Sequence, residues 1–298
     1  HLGCTVHWQG GSLVIDPRAV SQCDIPDGLM REMRSSIVCL GALLARTGRA
    51  VLSFPGGCEL GPRPIDLHLR ALRKMGARIA EDYGCLSCSV QGLLRGAAIG
   101  LSFPSVGATE NILLAAATAE GTTVITNAAR EPEICDLAAF LNRCGAHVSG
   151  AGGSTIVVEG VKKLSGCEHR VIPDRIAAAT FMSAAAATGG CIRLNHVLPA
   201  HLEPVLPAFE ELGCSMEWDD TSLRITAPGR LGRIKSVRTM PYPGFPTDAQ
   251  PPLMAAACLG SGPSIFVETI FESRYKHVGE LLRLGANIKV EGRVAVVE

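Results

Sequence analysis

A short glycine signature recurs along the chain at a nearly fixed interval, and that recurrence limits the folds open to it more than any other feature. The pattern Leu/Met/Cys-Gly-Ala/Cys appears as Leu2-Gly3-Cys4, Met75-Gly76-Ala77, Cys144-Gly145-Ala146, Leu212-Gly213-Cys214 and Leu284-Gly285-Ala286. Successive glycines lie 73, 69, 68 and 72 residues apart. A second series, Gly48, Gly121, Gly190 and Gly262, has spacings of 73, 69 and 72. Two independent series with one period mark an internal structural repeat. At about 70 residues the unit is longer than a solenoid layer, so each is read as a small sheet-plus-helix subdomain.

Within a unit, an Ala-, Leu- and Ile-rich helix runs to a glycine of the second series, read as a left-handed C-cap. A β-branched run follows, such as Thr122–Thr126 or 264–268. A second amphipathic helix comes next, at 67–74, 134–143 and 278–283, and ends at the Leu-Gly-Ala glycine. Two short strands joined by a tight turn complete the unit, as at 215–217 and Ser222–Thr226 around Asp219-Asp220. The order α-β-α-β-β gives an α/β (α+β) class. Four units are nearly complete, and residues 1–16 read as the tail of an earlier one. A strand at 169–172 followed by Pro173 sets the expected domain boundary, giving domains 1–172 and 173–298.

Composition narrows the function classes. With 47% hydrophobic and 19% charged residues the chain can bury a sizeable core, which excludes a disordered one. It has 28 basic and 28 acidic residues and only 4% aromatic ones, against both a broad nucleic-acid surface and a base-stacking platform. Apolar runs such as 112–119 are far too short to span a bilayer. The 12 cysteines sit mostly in apolar patterns, as at Cys39, Cys135, Cys191 and Cys258, which points to a reducing, cytoplasmic setting. Cys85 and Cys88 form a CxxC with no second pair, read as two thiols on one strand; no metal and no cofactor is expected. The chain opens at His1 rather than Met and reads as part of a longer polypeptide.

Chemistry-bearing residues gather at the start of each unit's first helix: Arg34-Ser35-Ser36, Ser105 to Thr109, Asp174-Arg175 and Thr247-Asp248. Helix capping explains Ser, Thr and Asp there. It does not explain a paired Arg, and helix N-termini also bind phosphate. Residues 53–64 hold three glycines and three prolines around Cys58, with Arg63 five residues on. That segment is a loop, and its thiol reads either as ordinary or as activated by nearby charge. Asp248 follows the extended Pro241-to-Pro246 run and is either a cap or a general base. Glu131-Pro132-Glu133 reads as a helix start with Pro at its first position, or as a pair of site carboxylates.

At these residues the chain resembles the UDP-N-acetylglucosamine 1-carboxyvinyltransferases (UDP-N-acetylglucosamine enolpyruvyl transferases). The likeness is carried by Met33-Arg34-Ser35-Ser36, Pro55-Gly56-Gly57-Cys58, residues 61–68, 105–109, 127–133 and 172–175, Phe245-Pro246-Thr247-Asp248, and Ile270 to Arg274. It implies two inside-out α/β barrel domains built of βαβαββ subdomains, six in all. Six units would make about 420 residues, so roughly the first and the whole sixth have no counterpart here. It implies transfer of the enolpyruvyl group of phosphoenolpyruvate to the 3′-hydroxyl of UDP-N-acetylglucosamine with release of phosphate. Phosphoenolpyruvate and UDP-N-acetylglucosamine are then the partners, with no nucleic acid, membrane or particular oligomer implied.

Carried over by residue, the resemblance makes Cys58 the loop thiol that donates a proton and forms a phospholactoyl adduct. It makes Arg34 and Arg63 clamps for phosphate or carboxylate, and Asp248 the base near the 3′-hydroxyl. Arg63, Pro64, Ile65, Asp66 and Leu67 correspond to the stretch at the uridine end. Phe103, Pro104, Ser105, Val106 and Gly107 correspond to the diphosphate turn, with Phe103 where some members carry Lys. Ile270 corresponds to a backbone contact to the amino sugar and Arg274 to a charge near the cleft. A cysteine at 58, where some members have Asp, implies sensitivity to fosfomycin. The family's N-terminal Lys-Asn pair and a C-terminal Arg have no counterpart, so these 298 residues alone are expected to turn over weakly or not at all. The alternatives are a 5-enolpyruvylshikimate-3-phosphate synthase-like transferase and a nucleotide-sugar-binding paralogue without turnover.

Overall fold

The structure, a computed structural model, describes residues 1–55 and 64–298. The described residues up to His169 form one compact unit and Arg170–Glu298 a second. Each has its own apolar core. The first gathers residues such as Leu72, Leu86 and Ile112, and the second residues such as Phe209, Met254 and Phe266.

The chain opens on an exposed hairpin, β1 (Thr5–Gln9) and β2 (Ser12–Asp16), the expected tail of an earlier repeat. The first repeat is β3 (Asp24–Ile25), α1 (Asp27–Glu32), α2 (Cys39–Thr47), β4 (Arg49–Ser53), α3 (Asp66–Lys74), β5 (Arg78–Asp82) and β6 (Cys85–Ser89). The second is β7 (Ala98–Gly100), α4 (Val106–Ala116), β8 (Thr122–Thr126), α5 (Pro132–Arg143), β9 (His147–Ser149) and β10 (Thr155–Glu159). The third is α6 (Arg175–Thr188), β11 (Cys191–Asn195), α7 (Leu206–Glu211), β12 (Ser215–Trp218) and β13 (Ser222–Thr226). The fourth is β14 (Val237–Arg238), α8 (Gln250–Ala257), β15 (Ser264–Val267), α9 (Val278–Arg283), β16 (Ile288–Glu291) and β17 (Val294–Val297).

Sheet order repeats with the sequence. The first, second and fourth repeats give β3-β4-β6-β5, β7-β8-β10-β9 and β14-β15-β17-β16, with a two- or three-residue edge strand parallel to its neighbour. The third gives β11-β13-β12 without that edge strand. The strand expected at 169–172 is therefore not formed: those residues lie outside every strand of the described chain. Apolar alternation cannot make a strand without a partner backbone, and the His169 ring is instead engaged by Asp136 of α5. The short edge strands are also why the sequence suggested α-β-α-β-β where the molecule has βαβαββ.

The Leu-Gly-Ala glycines behave alike. Gly3, Gly76, Gly145, Gly213 and Gly285 all have φ between +86° and +99°. At the last four, the glycine N–H reaches back to Arg73, Asn142, Glu210 and Leu282, and the next residue's N–H reaches Leu72, Leu141, Phe209 and Leu281. This double closure is the Schellman motif, which satisfies helix-end carbonyls and turns the chain into the next strand. The second series is less uniform. Gly48 caps α2 at φ +69°, but Gly189 rather than Gly190 caps α6. Gly121 and Gly262 stand several residues past their helices, in left-handed turns before β8 and β15.

The cysteines split. Cys88 and Cys214 are buried, while Cys39 and Cys191 are exposed at the first positions of their elements, against the expectation from their apolar neighbours. Cys85 is exposed and Cys88 buried on β6, so strand alternation turns the two thiols to opposite faces. No helix among the described residues is long and apolar enough to cross a membrane.

A Cβ at position 76 would meet nothing within 4 Å, so Gly76→Ala isolates the cost of the left-handed backbone. That cost is about 1–2 kcal/mol, and urea denaturation should show a midpoint lowered accordingly with an unchanged slope.

Candidate functional site

Two clusters hold the described candidates, one in each unit. In the first, the starts of α3 and α4 meet over His68. A cleft of about 350 Å³ is lined by Phe54, Pro55, Pro64, Ile65 and Asp66 and continues past Arg70 to Arg73 and Glu81; neither His68 nor any residue of α4 lines it. Asp66 and Pro64 are exposed and Leu67 half-buried, whereas Ile65 is buried in the core. Asp66 pairs with Arg70 at 3.2 Å. On α4, the Ser105 hydroxyl accepts the Ala108 N–H at 3.3 Å, so Ser105 caps the helix. Phe103 and Pro104 lead into that cap, with Phe103 exposed and its carbonyl accepting the Ser105 N–H. Val106 is half-buried. A Cβ on Gly107 would stand 3.2 Å from His68 Cε1, so glycine lets this turn lie against the imidazole.

His68 is fixed from behind by Asn111. The Asn111 carboxamide oxygen accepts the Gly41 N–H at 2.5 Å, and its nitrogen reaches the Ile37 carbonyl and His68 Nδ1, each at 3.0 Å. Gly41 can only donate and Ile37 O only accept, which orients the amide. His68 Nδ1 must then accept, placing the ring proton on Nε2. Burial pushes the His68 pKa down to about 4, and the positive charge of Arg34 adds to this. Arg34, half-buried, opens the 3-10 turn Arg34–Val38 ahead of α2. A guanidinium, a neutral imidazole and a helix start thus share one corner of this unit, an arrangement suited to an anionic ligand.

In the second unit, Arg274 Nη2 donates to Asp248 Oδ1 at 3.0 Å. The Arg274 side chain is 10% exposed and that of Asp248 62%. Asp248 makes no side-chain cap, so the capping alternative is not realised. The guanidinium lies 5.9 Å from the centre of the Phe271 ring. Behind them is Glu268, 1% exposed, which the sequence did not single out. Its Oε1 accepts the N–H groups of Ile270 and Phe271 at 2.7 and 2.9 Å, and its Oε2 accepts the Thr247 hydroxyl at 3.0 Å. Glu268 therefore ties the turn bearing Asp248 to the turn bearing Ile270. The Ile270 N–H is thereby taken by Glu268. Asp174 is an N-cap, accepting from Ile176 and Ala177. Glu131 is the N-cap residue of α5, followed by Pro132 at its first position. Glu110, Glu131 and Glu133 form an acidic group in which burial, then Glu133 and Glu131, raise the Glu110 pKa. Cys58 and Arg63 lie outside the described residues. No cluster of His, Cys, Asp and Glu suited to a metal occurs among the described residues.

Comparison with known proteins decides the family. A family model described as EPSP synthase (3-phosphoshikimate 1-carboxyvinyltransferase) matches residues 1–297. UDP-N-acetylglucosamine 1-carboxyvinyltransferase 2 of Caldanaerobacter subterraneus subsp. tengcongensis is 52% identical over 298 residues, covering all of this chain and 71% of that protein. The chain belongs to the UDP-N-acetylglucosamine 1-carboxyvinyltransferase family. Two further members are similar: enzyme 1 of Symbiobacterium thermophilum, 53% identical across 97% of this chain and 65% of its own, and enzyme 2 of Bacillus subtilis, 44% across 99% and 69%. Solved structures support the fold. The enolpyruvyl transferase NikO from Streptomyces tendae aligns with a TM-score of 0.87, and an EPSP synthase from Acinetobacter baumannii with 0.70. Both are 23% identical and cover the whole of this chain and 71% of theirs.

Between pH 6.5 and about 4 the unfolded state binds more protons at His68 than the folded one, so this part of the stability is present above 6.5 and lost as pH falls through the window. An NMR titration should place the His68 midpoint near 4. Asn111→Ala strands the Gly41 N–H and the Ile37 carbonyl and should cost about 2–4 kcal/mol in chemical denaturation. Glu268→Ala strands two N–H groups and should cost a similar amount, about 2–4 kcal/mol.

Proposed function

We propose that this chain carries the machinery for moving the enolpyruvyl group of phosphoenolpyruvate to the 3′-hydroxyl of UDP-N-acetylglucosamine, releasing phosphate and committing the sugar to peptidoglycan. The observation that carries this reading is 52% identity along the full chain to a relative named for that activity. The shikimate-phosphate alternative is weaker, because the EPSP synthase structures share only 23% identity. A paralogue that binds without turnover is disfavoured by the presence of Cys58, Arg34, Arg63 and Asp248 together.

The reaction is an addition–elimination. The acceptor hydroxyl adds at C2 of the enol phosphate while C3 gains a proton, giving a tetrahedral ketal. Loss of a proton from C3 and of phosphate from C2 then restores the double bond. An acid and a base are needed on different groups. In this reading Cys58 delivers the proton at C3 and also forms the phospholactoyl adduct. Asp248, oriented by Arg274, receives the hydroxyl proton. Arg34 and Arg63 hold the phosphate or carboxylate of phosphoenolpyruvate. Residues 63–67 and 103–107 take the uridine and diphosphate ends, and the Ile270 backbone meets the amino sugar. No metal or cofactor enters. The setting is the cytoplasm, in support of cell-wall growth, cell shape and division, and fosfomycin is the expected covalent inhibitor.

Isothermal titration should show binding of UDP-N-acetylglucosamine and none of shikimate 3-phosphate; the opposite preference overturns the reading. Intact mass and peptide mapping after fosfomycin should place one adduct, on Cys58. With the family's N- and C-terminal segments joined to the chain, Asp248→Asn should reduce phosphate release on the order of 10²-fold or more, with a small drop in melting temperature because the largely buried Arg274 keeps an acceptor but loses its counter-charge.

A further inference from the structure

The last stretch of the first unit is strapped along α5. The Ser165 N–H and hydroxyl both donate to the Cys144 carbonyl, at 2.7 and 3.1 Å. Arg143 Nη1 donates to the Glu168 carbonyl at 3.1 Å. His169 Nε2 lies 2.9 Å from Asp136 Oδ1, and its ring meets Phe140 edge-on with centroids 5.5 Å apart. Within this strap, Cys144 Sγ and Cys167 Sγ are 3.4 Å apart. They are the one cysteine pair with sulfurs in contact among the described residues. None of these groups belongs to the site above.

We propose that Cys144 and Cys167 are a redox pair that closes to a reversible disulfide when the chain meets a peroxide or a small-molecule disulfide. A disulfide needs its sulfurs at about 2.05 Å, so side-chain rotation must bring this pair closer by little more than an ångström. Anchors on both sides of Cys167 already hold the backbone in place, so the entropy of bringing the thiols together is met by folding. The two sulfurs also differ in access. Cys167 is exposed and Cys144 buried, and burial pushes the Cys144 thiol up. Cys167 therefore meets the oxidant and Cys144 resolves.

With hydrogen peroxide, the Cys167 thiolate attacks one oxygen, the O–O bond breaks, and the departing hydroxide takes a proton to become water, leaving a sulfenic acid. The Cys144 sulfur then attacks that sulfur. The S–O bond breaks, the hydroxide leaves with the Cys144 proton as a second water, and the S–S bond forms. Two thiols are oxidised and one peroxide is reduced to two waters. With a small disulfide, Cys167 first forms a mixed disulfide, Cys144 displaces the bound half, and two small thiols are released. The resulting bond would staple the C-terminal end of α5 to the strap and close the intervening chain.

The test exposes the 298-residue chain separately to equimolar hydrogen peroxide and to oxidised glutathione, blocks remaining thiols, and maps non-reduced peptides. The expected result from both is a Cys144–Cys167 linked peptide as the main cross-link, an intact mass lower by two hydrogens, and reversal by a thiol reductant. The oxidised form should also melt at higher temperature than the reduced one, a shift absent in Cys167→Ser. Free, alkylatable Cys144 and Cys167 after both treatments would overturn the proposal. So would Cys167 carried to a sulfinic acid or a stable mixed disulfide without linkage, or either sulfur joined mainly to another cysteine.

Discussion

The contact on which the first site depends is a single buried carboxamide. Asn111, fully buried on α4, bonds to Gly41 on α2, to Ile37 in the preceding 3-10 turn and to His68 on α3. A Cβ at Gly41 would fall 2.3 Å from the Asn111 carbonyl oxygen, so the close approach of α2 and α4 requires glycine. A buried amide with every group paired is stabilising, whereas the same amide with one partner removed is costly, so the junction has one good arrangement. That arrangement sets the imidazole tautomer and the surface on which Gly107 and the Ser105 cap rest. Placement of Arg34, Asp66 and Ser105 near one another is thus a consequence of core packing rather than of their own mutual attraction.

The second unit solves the same problem with a carboxylate. Glu268 is buried and takes three hydrogen bonds, two from the turn holding Ile270 and one from Thr247 beside Asp248. In both units an interior polar side chain fixes exposed polar ones near a helix start, where free N–H groups and the helix dipole favour anions. The two junctions use different side chains, a carboxamide on α4 and a carboxylate just after β15.

Much of the fold was legible because it is carried by local signals. The five Leu-Gly-Ala glycines need a left-handed backbone, and Leu72/Ala77 or Phe209/Cys214 pair across the helix end as the motif requires. The second helices and the hairpin around Asp219 were legible for the same reason. The edge strands were not, since two residues such as Asp24–Ile25 carry no period and exist only by pairing with β4. The strand expected at 169–172 failed on the same ground. In the site, Arg34, Ser105, Asp248, Ile270 and Arg274 stand in recognisable motifs. Glu268 and Asn111 do not, because one looks like a strand end and the other like a polar interruption of an apolar helix. Only the tertiary structure shows that their partners lie 21 and 70 residues away. A buried-polar reading of Asn111 in the apolar run around it was the one signal available.

The proposed function requires the first unit's elements near 64–68 and 103–107 to take the nucleotide end of UDP-N-acetylglucosamine. Hydrogen–deuterium exchange on the chain with saturating UDP-N-acetylglucosamine tests it directly. Slowed exchange should appear in those two segments, with β1–β2 unchanged and no protection from shikimate 3-phosphate. Unaltered exchange in both segments, or protection confined to other surfaces, would contradict it.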